Sequence, residues 1–231
     1  MDIKNYKFRT ELHAHTSPAS PCGDFAPDEV VAKYAALGYD SVVITNHFYP
    51  QMRFRDNKEK CIAEYLKDYE AAVKAGEECG LNVILGCELR FCENFNDYLL
   101  FGITPESLGL AFDYIDEGIE KFSKAFRGDE TVLVQAHPFR DGCVPALPEF
   151  LDGVEVFNLH PGHNSRVGVT AKFAKENNLI PTSGTDFHHE GHEGMTALLT
   201  AEEMKSSADI ARVLKSGDYL IEIGATVVKC L

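Results

Sequence analysis

The chain has 231 residues and a formal net charge of −14, which suits one α/β domain and disfavours long nucleic acid as a partner. Apolar residues make up 45% of the chain and charged residues 25%, an ordinary soluble composition with no apolar run of the roughly 20 residues that a membrane helix needs. The first residues lack the apolar core of a signal peptide, so we expect a cytoplasmic protein with a single domain over residues 1–231.

Strand and helix patterns alternate along the chain, which favours a parallel sheet or a barrel. The predicted strands lie at 6–9, 41–45, 82–85, 97–103, 131–136, 154–157, 180–183, 196–199 and 219–223. The predicted helices lie at 27–37, 58–79, 105–126, 165–177 and 207–215. Proline and acidic residues open the first helix, and glycine follows each of the first two.

The first strand leads into two histidines, His13 and His15. Side chains two residues apart in a strand point to the same side, so both imidazoles would be directed at one point. Neutral imidazole is a good ligand for zinc, iron, manganese or copper. Taken alone, the pair would favour two unrelated surface histidines over a metal site.

Further polar residues stand at the ends of later strands. They are His47, Glu88, His137, Asn158, Asp186 and His188. The carboxyl ends of parallel barrel strands gather at one mouth, where active sites form. Five of the nine histidines fall at these ends, and structural histidines have no reason to prefer them. We therefore expect a metal cluster at this mouth.

Six segments resemble, in order, the motifs of the PHP superfamily (polymerase and histidinol phosphatase). They are residues 11–15, 44–47, 86–88, 136–138, 154–158 and 183–188. The resemblance implies a distorted (β/α)7 barrel that holds two or three divalent ions of zinc, manganese or iron and most often hydrolyses phosphoesters. The ligand set predicted here is His13, His15, Asp24, His47, Glu88, His137, Asp186 and His188.

The chain departs from this family's motifs at three places. Glu11 stands where the family usually has Asp, and Asn46 stands where it usually has the Asp of Thr-Asp-His. The family often has a further histidine between the third and fourth motifs, which is missing here, and Asn96 or Asp97 could replace it. Asp24 is the candidate for the ligand between the first two motifs, although it could equally cap the next helix.

Two arginines follow strand ends and could reach the mouth. Guanidinium binds phosphate oxygens through two parallel hydrogen bonds, so Arg140 is the predicted catalytic residue and Arg166 a weaker candidate. An exposed structural role is the alternative for both. The candidates for a general acid or a substrate contact are His160, His163, His189 and His192.

Together with these residues, the resemblance implies a hydrolase of small phosphomonoesters, in which a metal-activated hydroxide attacks phosphorus. At most three ligand carboxylates face two or three divalent ions, so the centre should stay net positive and attract an anion. A metal-dependent amidohydrolase and a non-catalytic metal-binding regulatory module are the alternatives. No phosphate-binding GxxxxGK loop, GxGxxG or GxSxG occurs. We expect a small phosphorylated substrate as the partner, with neither long nucleic acid nor a membrane.

The cysteine count bears on the redox environment. Seven is an odd number, and no two cysteines form a CxxC pair. Together with the missing signal peptide, this favours reduced thiols over a disulfide framework. The cysteines are Cys22, Cys61, Cys79, Cys87, Cys92, Cys143 and Cys230.

Overall fold

A computed structural model describes residues 3–229, which form six α-helices and two β-sheets of six strands each. The helices are α1 (Pro27–Ala36), α2 (Lys58–Cys79), α3 (Ser107–Tyr114), α4 (Ile119–Phe126), α5 (Val167–Glu176) and α6 (Ser207–Ser216). The strands are β1 (Phe8–Ala14), β2 (Ser41–Ile44), β3 (His47–Phe48), β4 (Asn82–Leu85), β5 (Cys87–Arg90), β6 (Asp97–Phe101), β7 (Val132–Gln135), β8 (Gly153–Asn158), β9 (Ile180–Gly184), β10 (Thr196–Thr200), β11 (Leu220–Ile223) and β12 (Thr226–Val228).

Local capping signals explain the boundaries of the longest helix. The Asn57 side chain accepts a hydrogen bond from the backbone N–H of Lys60 at 3.0 Å, satisfying a free donor of the first turn. Gly80 ends the helix in a left-handed conformation, with φ of +78°. These two residues leave α2 with the boundaries that the sequence predicts.

The first sheet has the order β12-β11-β10-β1-β2-β4, and the second has the order β3-β5-β6-β7-β8-β9. Strands β1, β2 and β4 run parallel, as do β7, β8 and β9. Strand β6 runs antiparallel to both β5 and β7. The connection from β5 to β6 is too short to hold a crossover helix, which requires this reversal.

The closed (β/α)7 barrel is not confirmed by this arrangement. Over residues 3–229 the strands form an α/β fold with two mixed sheets rather than one closed ring. The chain leaves regular strand geometry between β2 and β3 and again at Gly86, between β4 and β5. Each interruption transfers the chain from the first sheet to the second.

The core lies on both faces of these sheets. Along β6, Tyr98 and Leu100 pack into one apolar cluster, whereas Leu99 and Phe101 pack into another. This separation follows from the two-residue period of a strand. The second cluster also contains Leu12 of β1, so the two sheets share one buried layer. Burial of each such side chain contributes roughly 1.5–3 kcal/mol.

Two further expectations, on membrane helices and on the cysteines, are compared with the described residues only. Within 3–229, no helix combines the length and the apolar character that crossing a membrane requires. The six cysteines in that part of the chain are free thiols, and Cys230 lies outside the described residues.

Candidate metal centre

The carboxyl end of β1 brings two imidazoles to the centre of the fold. His13 and His15 are both buried, and their ring centroids lie 5.0 Å apart. Gly184 of β9 packs directly against this strand, since a Cβ there would lie 2.3 Å from the His13 Cβ. Glycine is needed at this position so that β9 can approach the histidines closely.

Glu88 of β5 is surrounded by four imidazoles. Its oxygens lie 3.3 Å from His13 Nε2, 3.4 Å from His15 Nε2, 2.7 Å from His47 Nδ1 and 3.3 Å from His137 Nε2. Despite these distances, neither carboxylate oxygen has a partner in hydrogen-bond geometry. Nε2 of His13 and of His15 also lacks such a partner. Buried polar atoms left unpaired in this way call for an explanation, and a cation between them is one.

The loop after β9 adds a second carboxylate. Asp186 Oδ1 lies 3.5 Å from His13 Nε2, 3.4 Å from His15 Nε2 and 3.3 Å from His188 Nδ1. The backbone of Asp186 is left-handed, with φ of +52°, and His137 has φ of +31°. Such conformations are uncommon outside glycine, although aspartate and histidine adopt them more readily than most residues.

Asp97 joins the same group from the amino end of β6. Because β6 is antiparallel to its neighbours, its first residue lies at the edge where the other strands end. Asp97 Oδ2 lies 3.8 Å from His137 Nε2, and Arg90 donates two hydrogen bonds of 2.7 Å to the carboxylate. The other candidate for this place, Asn96, instead binds the carbonyl of Val144.

The side chains brought together form what we call the histidine–carboxylate cluster. It consists of His13, His15, His47, Glu88, Asp97, His137, Asp186 and His188. Three triplets within it have ligand atoms within 4.8 Å of one another: His15 with His47 and His188, His13 with His15 and Glu88, and His47 with Glu88 and Asp97. Imidazole nitrogen with a few carboxylate oxygens suits zinc, manganese or iron better than calcium. The donor set therefore fits bound transition-metal ions.

The buried carboxylate of Glu155 in β8 orients the His13 ring and the backbone of His137. Its Oε1 accepts a hydrogen bond of 2.8 Å from His13 Nδ1, while its Oε2 accepts from the His137 backbone N–H and the Asn158 amide. The proton on Nδ1 leaves Nε2 of His13 as the ligand atom. Sequence analysis missed Glu155, although an acid within the apolar run Val154-Glu155-Val156-Phe157 was a usable signal.

The two unusual motif residues serve the scaffold. Glu11 is fully buried and accepts hydrogen bonds from the backbone N–H groups of His13 and Thr185, so it ties β1 to the loop after β9. Burial raises the pKa of Glu11 to about 7. Asn46 accepts a hydrogen bond from the Thr16 N–H at 2.7 Å and one from Ser20 Oγ at 2.9 Å.

The cluster attracts positive charge. Burial favours neutral imidazole, yet Glu155, Asp186 and Glu88 hold the pKa of His13 well above its usual value. Burial likewise opposes protonation of His47 and His137, but the surrounding acceptors raise both pKa values to about 10. Burial and its imidazole neighbours lower the pKa of His15 far below the ordinary range.

Several predicted residues lie outside the cluster. The Asp24 carboxylate is largely exposed and pairs with His189 at 2.8 Å. Arg166 binds the Phe139 carbonyl and Asp141. The Asp24 backbone N–H donates a hydrogen bond of 2.9 Å to the His188 carbonyl, but the Asp24 carboxylate and the Arg166 guanidinium bind the residues just named instead of the cluster side chains.

A cavity of about 300 Å³ opens onto the cluster. Arg140 lies at its wall, with Nη2 3.7 Å from Asp97 Oδ2 and Nη1 3.7 Å from Asp186 Oδ2. Other residues of the wall are Cys22, His47, Arg90, His137, His160, His163, Asp186, His188 and His189. Sequence analysis did not single out Arg90 or assign Cys22 to this site.

A sequence model of the PHP domain family matches residues 11–226. No protein with a curated description matches the chain. Several solved structures resemble it at low sequence identity, and this likeness shows the fold alone.

Three of these structures illustrate the range. One is a two-domain protein from Bacteroides vulgatus, described as containing a predicted PHP-like metal-dependent phosphoesterase; it is 16% identical with a TM-score of 0.64, and the match covers 98% of this chain and 68% of that one. Another, from Bifidobacterium adolescentis, is described as a predicted metal-dependent phosphoesterase. It is 18% identical with a TM-score of 0.53, and the match covers 79% of this chain and 88% of that one. A third, from Chromobacterium violaceum, is described as an amidohydrolase with bound sulfate and no metal. It is 17% identical with a TM-score of 0.52, and the match covers 80% of this chain and 89% of that one.

Proposed function

The chain belongs to the PHP domain family, and on that premise we propose that it is a metal-dependent hydrolase of small phosphomonoesters. The observation that carries the proposal is the set of buried, unpaired polar atoms on His13, His15 and Glu88. These atoms converge beside a cavity that also contains an arginine. Leaving them unpaired would cost free energy of folding unless a ligand compensates.

The histidine–carboxylate cluster would hold two or three divalent ions of zinc, manganese or iron. Its three triplets overlap, since Glu88, His15 and His47 each belong to two of them. Shared ligands of this kind suit neighbouring ions. When bound, such ions acidify water and neutralise the charge of phosphoryl oxygens.

Arg140 would bind the phosphoryl group of the substrate. It is mostly buried at the cavity wall and lies 3.7 Å from each of two carboxylates, too far for close ion pairs. Its guanidinium therefore keeps donors available for phosphate oxygens. The same charge would stabilise the negative charge that builds up on the phosphoryl group as the ester bond breaks.

His160 would donate a hydrogen bond to the substrate. Burial lowers its pKa to about 4, so the ring is neutral near pH 7. Its Nδ1 accepts a hydrogen bond from the Gly162 N–H at 3.0 Å, which leaves the ring proton on Nε2. A neutral imidazole in this tautomer contributes a donor without adding charge.

The size of the cavity and the charge of the chain favour a small substrate. A space of about 300 Å³ suits a compact phosphomonoester. The net charge of −14 would repel long nucleic acid. A screen of small phosphomonoesters identifies the leaving group.

We also infer that the two sheets act as one interrupted seven-stranded barrel within a single domain. A parallel bridge between Ala14 and Phe187 supports the link from β1 to the end of β9. Hydrogen bonds from Gly86 N to Ile44 O and from Glu88 N to Asn46 O, of 3.0 and 3.1 Å, support continuity across the other interruptions. Cooperative unfolding of the full chain in one transition would support the single domain.

The main competing activity is amide hydrolysis, which one structural neighbour's description favours. A neutral amide has no need of Arg140, whereas a phosphomonoester does. Inhibition by inorganic phosphate, weakened in an Arg140→Ala variant, would favour the phosphoesterase.

The test is metal analysis of the purified chain followed by a screen of phosphomonoesters and amides with manganese, zinc and iron. We expect at least two ions per chain and turnover of a phosphomonoester that Glu88→Gln removes. Amide turnover alone would favour the competing activity. Less than one ion per chain after reconstitution, with no turnover, would overturn the proposal, whereas two or more bound ions without any turnover would favour a non-catalytic metal-binding module.

A further inference from the structure

The loop between β1 and α1 brings a thiol to the edge of the histidine–carboxylate cluster. Cys22 Sγ lies 3.1 Å from His188 Nε2. Cys22 and His47 also line one cavity together, whereas the Asp24 carboxylate pairs with His189 at 2.8 Å. The Cys22 thiol thus lies beside the rings of His47 and His188, whereas the Asp24 carboxylate lies beside His189.

A second observation at the same place points to a ligand. The fully buried His15 has an unpartnered Nε2, while its Nδ1 is engaged by Ser20 Oγ at 3.1 Å. His15, His47 and His188 bring ligand atoms within 4.8 Å of one another. Three imidazoles and a thiol therefore converge, with one buried nitrogen left without a hydrogen-bond partner.

We propose that Cys22 supplies a thiolate ligand to a metal ion held by His47 and His188, at the place that sequence analysis gave to Asp24. The proposal rests on the metal dependence proposed above, but not on the identity of the substrate. A sulfur ligand changes the metal preference of this position, because thiolate is soft. Zinc, iron(II) and cobalt(II) should be favoured there over manganese and magnesium.

Cys143 offers a matched control, since it also lies beside a histidine of the cluster. Its Sγ is 3.8 Å from His137 Nδ1, whereas the other nitrogen of that ring, Nε2, faces Glu88. Cys143 thus contacts the side of the imidazole that points away from the carboxylates. Replacing it should leave the metal ligands unchanged.

The experiment is a titration of the metal-free full chain with cobalt(II), followed by absorption spectroscopy. We expect a near-ultraviolet cobalt–thiolate charge-transfer band in the wild type and in Cys143→Ser. We expect the band to be lost in Cys22→Ser and in Cys22→Asp. The aspartate variant should still bind cobalt, because a carboxylate can also act as a ligand.

Each outcome bears on the proposal independently of catalysis. A wild-type chain that binds cobalt without this band, or a band that survives in Cys22→Ser, would overturn it. Loss of the band in Cys143→Ser alone would assign the thiolate to the other cysteine. If the band behaves as expected but no phosphomonoester is hydrolysed, the thiolate site stands and the proposed activity fails.

Discussion

Glu88 and His47 face each other across two parallel strands, and their side chains meet at 2.7 Å between Oε2 and Nδ1. Their register in β5 and β3 fixes this contact, so the backbone itself holds the carboxylate beside the imidazole. Burial would raise the pKa of Glu88, but His47 and His13 keep it well below its usual value. Glu88 is therefore ionised, and it lies at the centre of the histidine–carboxylate cluster.

Replacing Glu88 with Gln should remove activity while leaving the fold intact. The amide has the same shape, but it removes a negative charge and is a poor ligand. We expect kcat/KM to fall by more than about 100-fold, beyond the 10–100-fold typical of residues that only orient ligands. Steady-state kinetics, metal content and Tm measure the effect. Glu190→Gln, at an exposed residue, is the control, and normal turnover with full metal in Glu88→Gln would contradict the centre described here.

Asp186→Asn should have the same functional effect with even less cost to the fold. Asparagine tolerates the left-handed backbone of this position, φ of +52°, about as well as aspartate does. The lost charge would leave His13 and His15 facing a neutral amide. We expect loss of both metal and turnover, with a Tm near that of the metal-free wild type. A large drop in Tm would instead assign Asp186 a structural role.

Arg140→Ala should impair phosphomonoester hydrolysis by about 100-fold, the order expected for loss of one group that stabilises transition-state charge. Inhibition by inorganic phosphate should weaken in parallel, while metal content stays unchanged. The control is Arg166→Gln, since Arg166 is engaged by Phe139 and Asp141 instead of the cavity. Equal effects of both substitutions on kinetics would argue against a phosphate-binding role for Arg140.

Metal affinity should increase as the pH rises from 7 to 9. Burial lowers the pKa of both histidines, but Glu88 and the Cys22 thiol raise that of His47 to about 10, and the Cys143 thiol and Glu88 raise that of His137 to about 10. These imidazoles are therefore protonated in the metal-free chain and must lose protons before they can bind an ion. Zinc competition titrations at several pH values measure this slope. Glu88→Gln should make it shallower, whereas a wild-type affinity independent of pH would contradict the prediction.

Glu11→Gln should stabilise the metal-free chain at pH 8 but not at pH 4.5. Burial raises the pKa of Glu11 from 4.5 to about 7, so the folded state binds the proton more tightly than the unfolded state. Its stability contribution is then complete below pH 4.5 and declines as the pH rises to about 7. At 1.36 kcal/mol per pKa unit, the wild type loses about 3 kcal/mol across this window, and the amide avoids that loss.

Urea unfolding of both proteins at the two pH values checks this prediction. Glutamine can keep the acceptor at the Oε1 position, which receives the N–H groups of His13 and Thr185. An advantage of the variant that is the same at pH 4.5 and pH 8 would show that ionisation of Glu11 is not its cause.

Much of the fold and of the candidate site was predictable from local patterns. Helix α2 has the predicted boundaries because asparagine and glycine capping depends on neighbouring residues only. His13 and His15 share one side of a strand end because strand alternation is equally local. The same reasoning anticipated that Glu88, His137 and Asp186 lie together, since each directly follows or belongs to a strand with a clear apolar pattern.

The sequence by itself determined which side chains were available as ligands and which strand ends would present them. Only the tertiary structure decided that the Cys22 thiol rather than the Asp24 carboxylate lies beside the His188 ring. An irregular loop has no periodic pattern from which its path could be predicted. It also brought Asp97 to the cluster, since the reversal of β6 moves an amino end to the edge where other strands finish. Glu155 reaches His13 across two strands far apart in the chain. That contact depends on how β8 and β1 are packed, a long-range arrangement that no local pattern specifies.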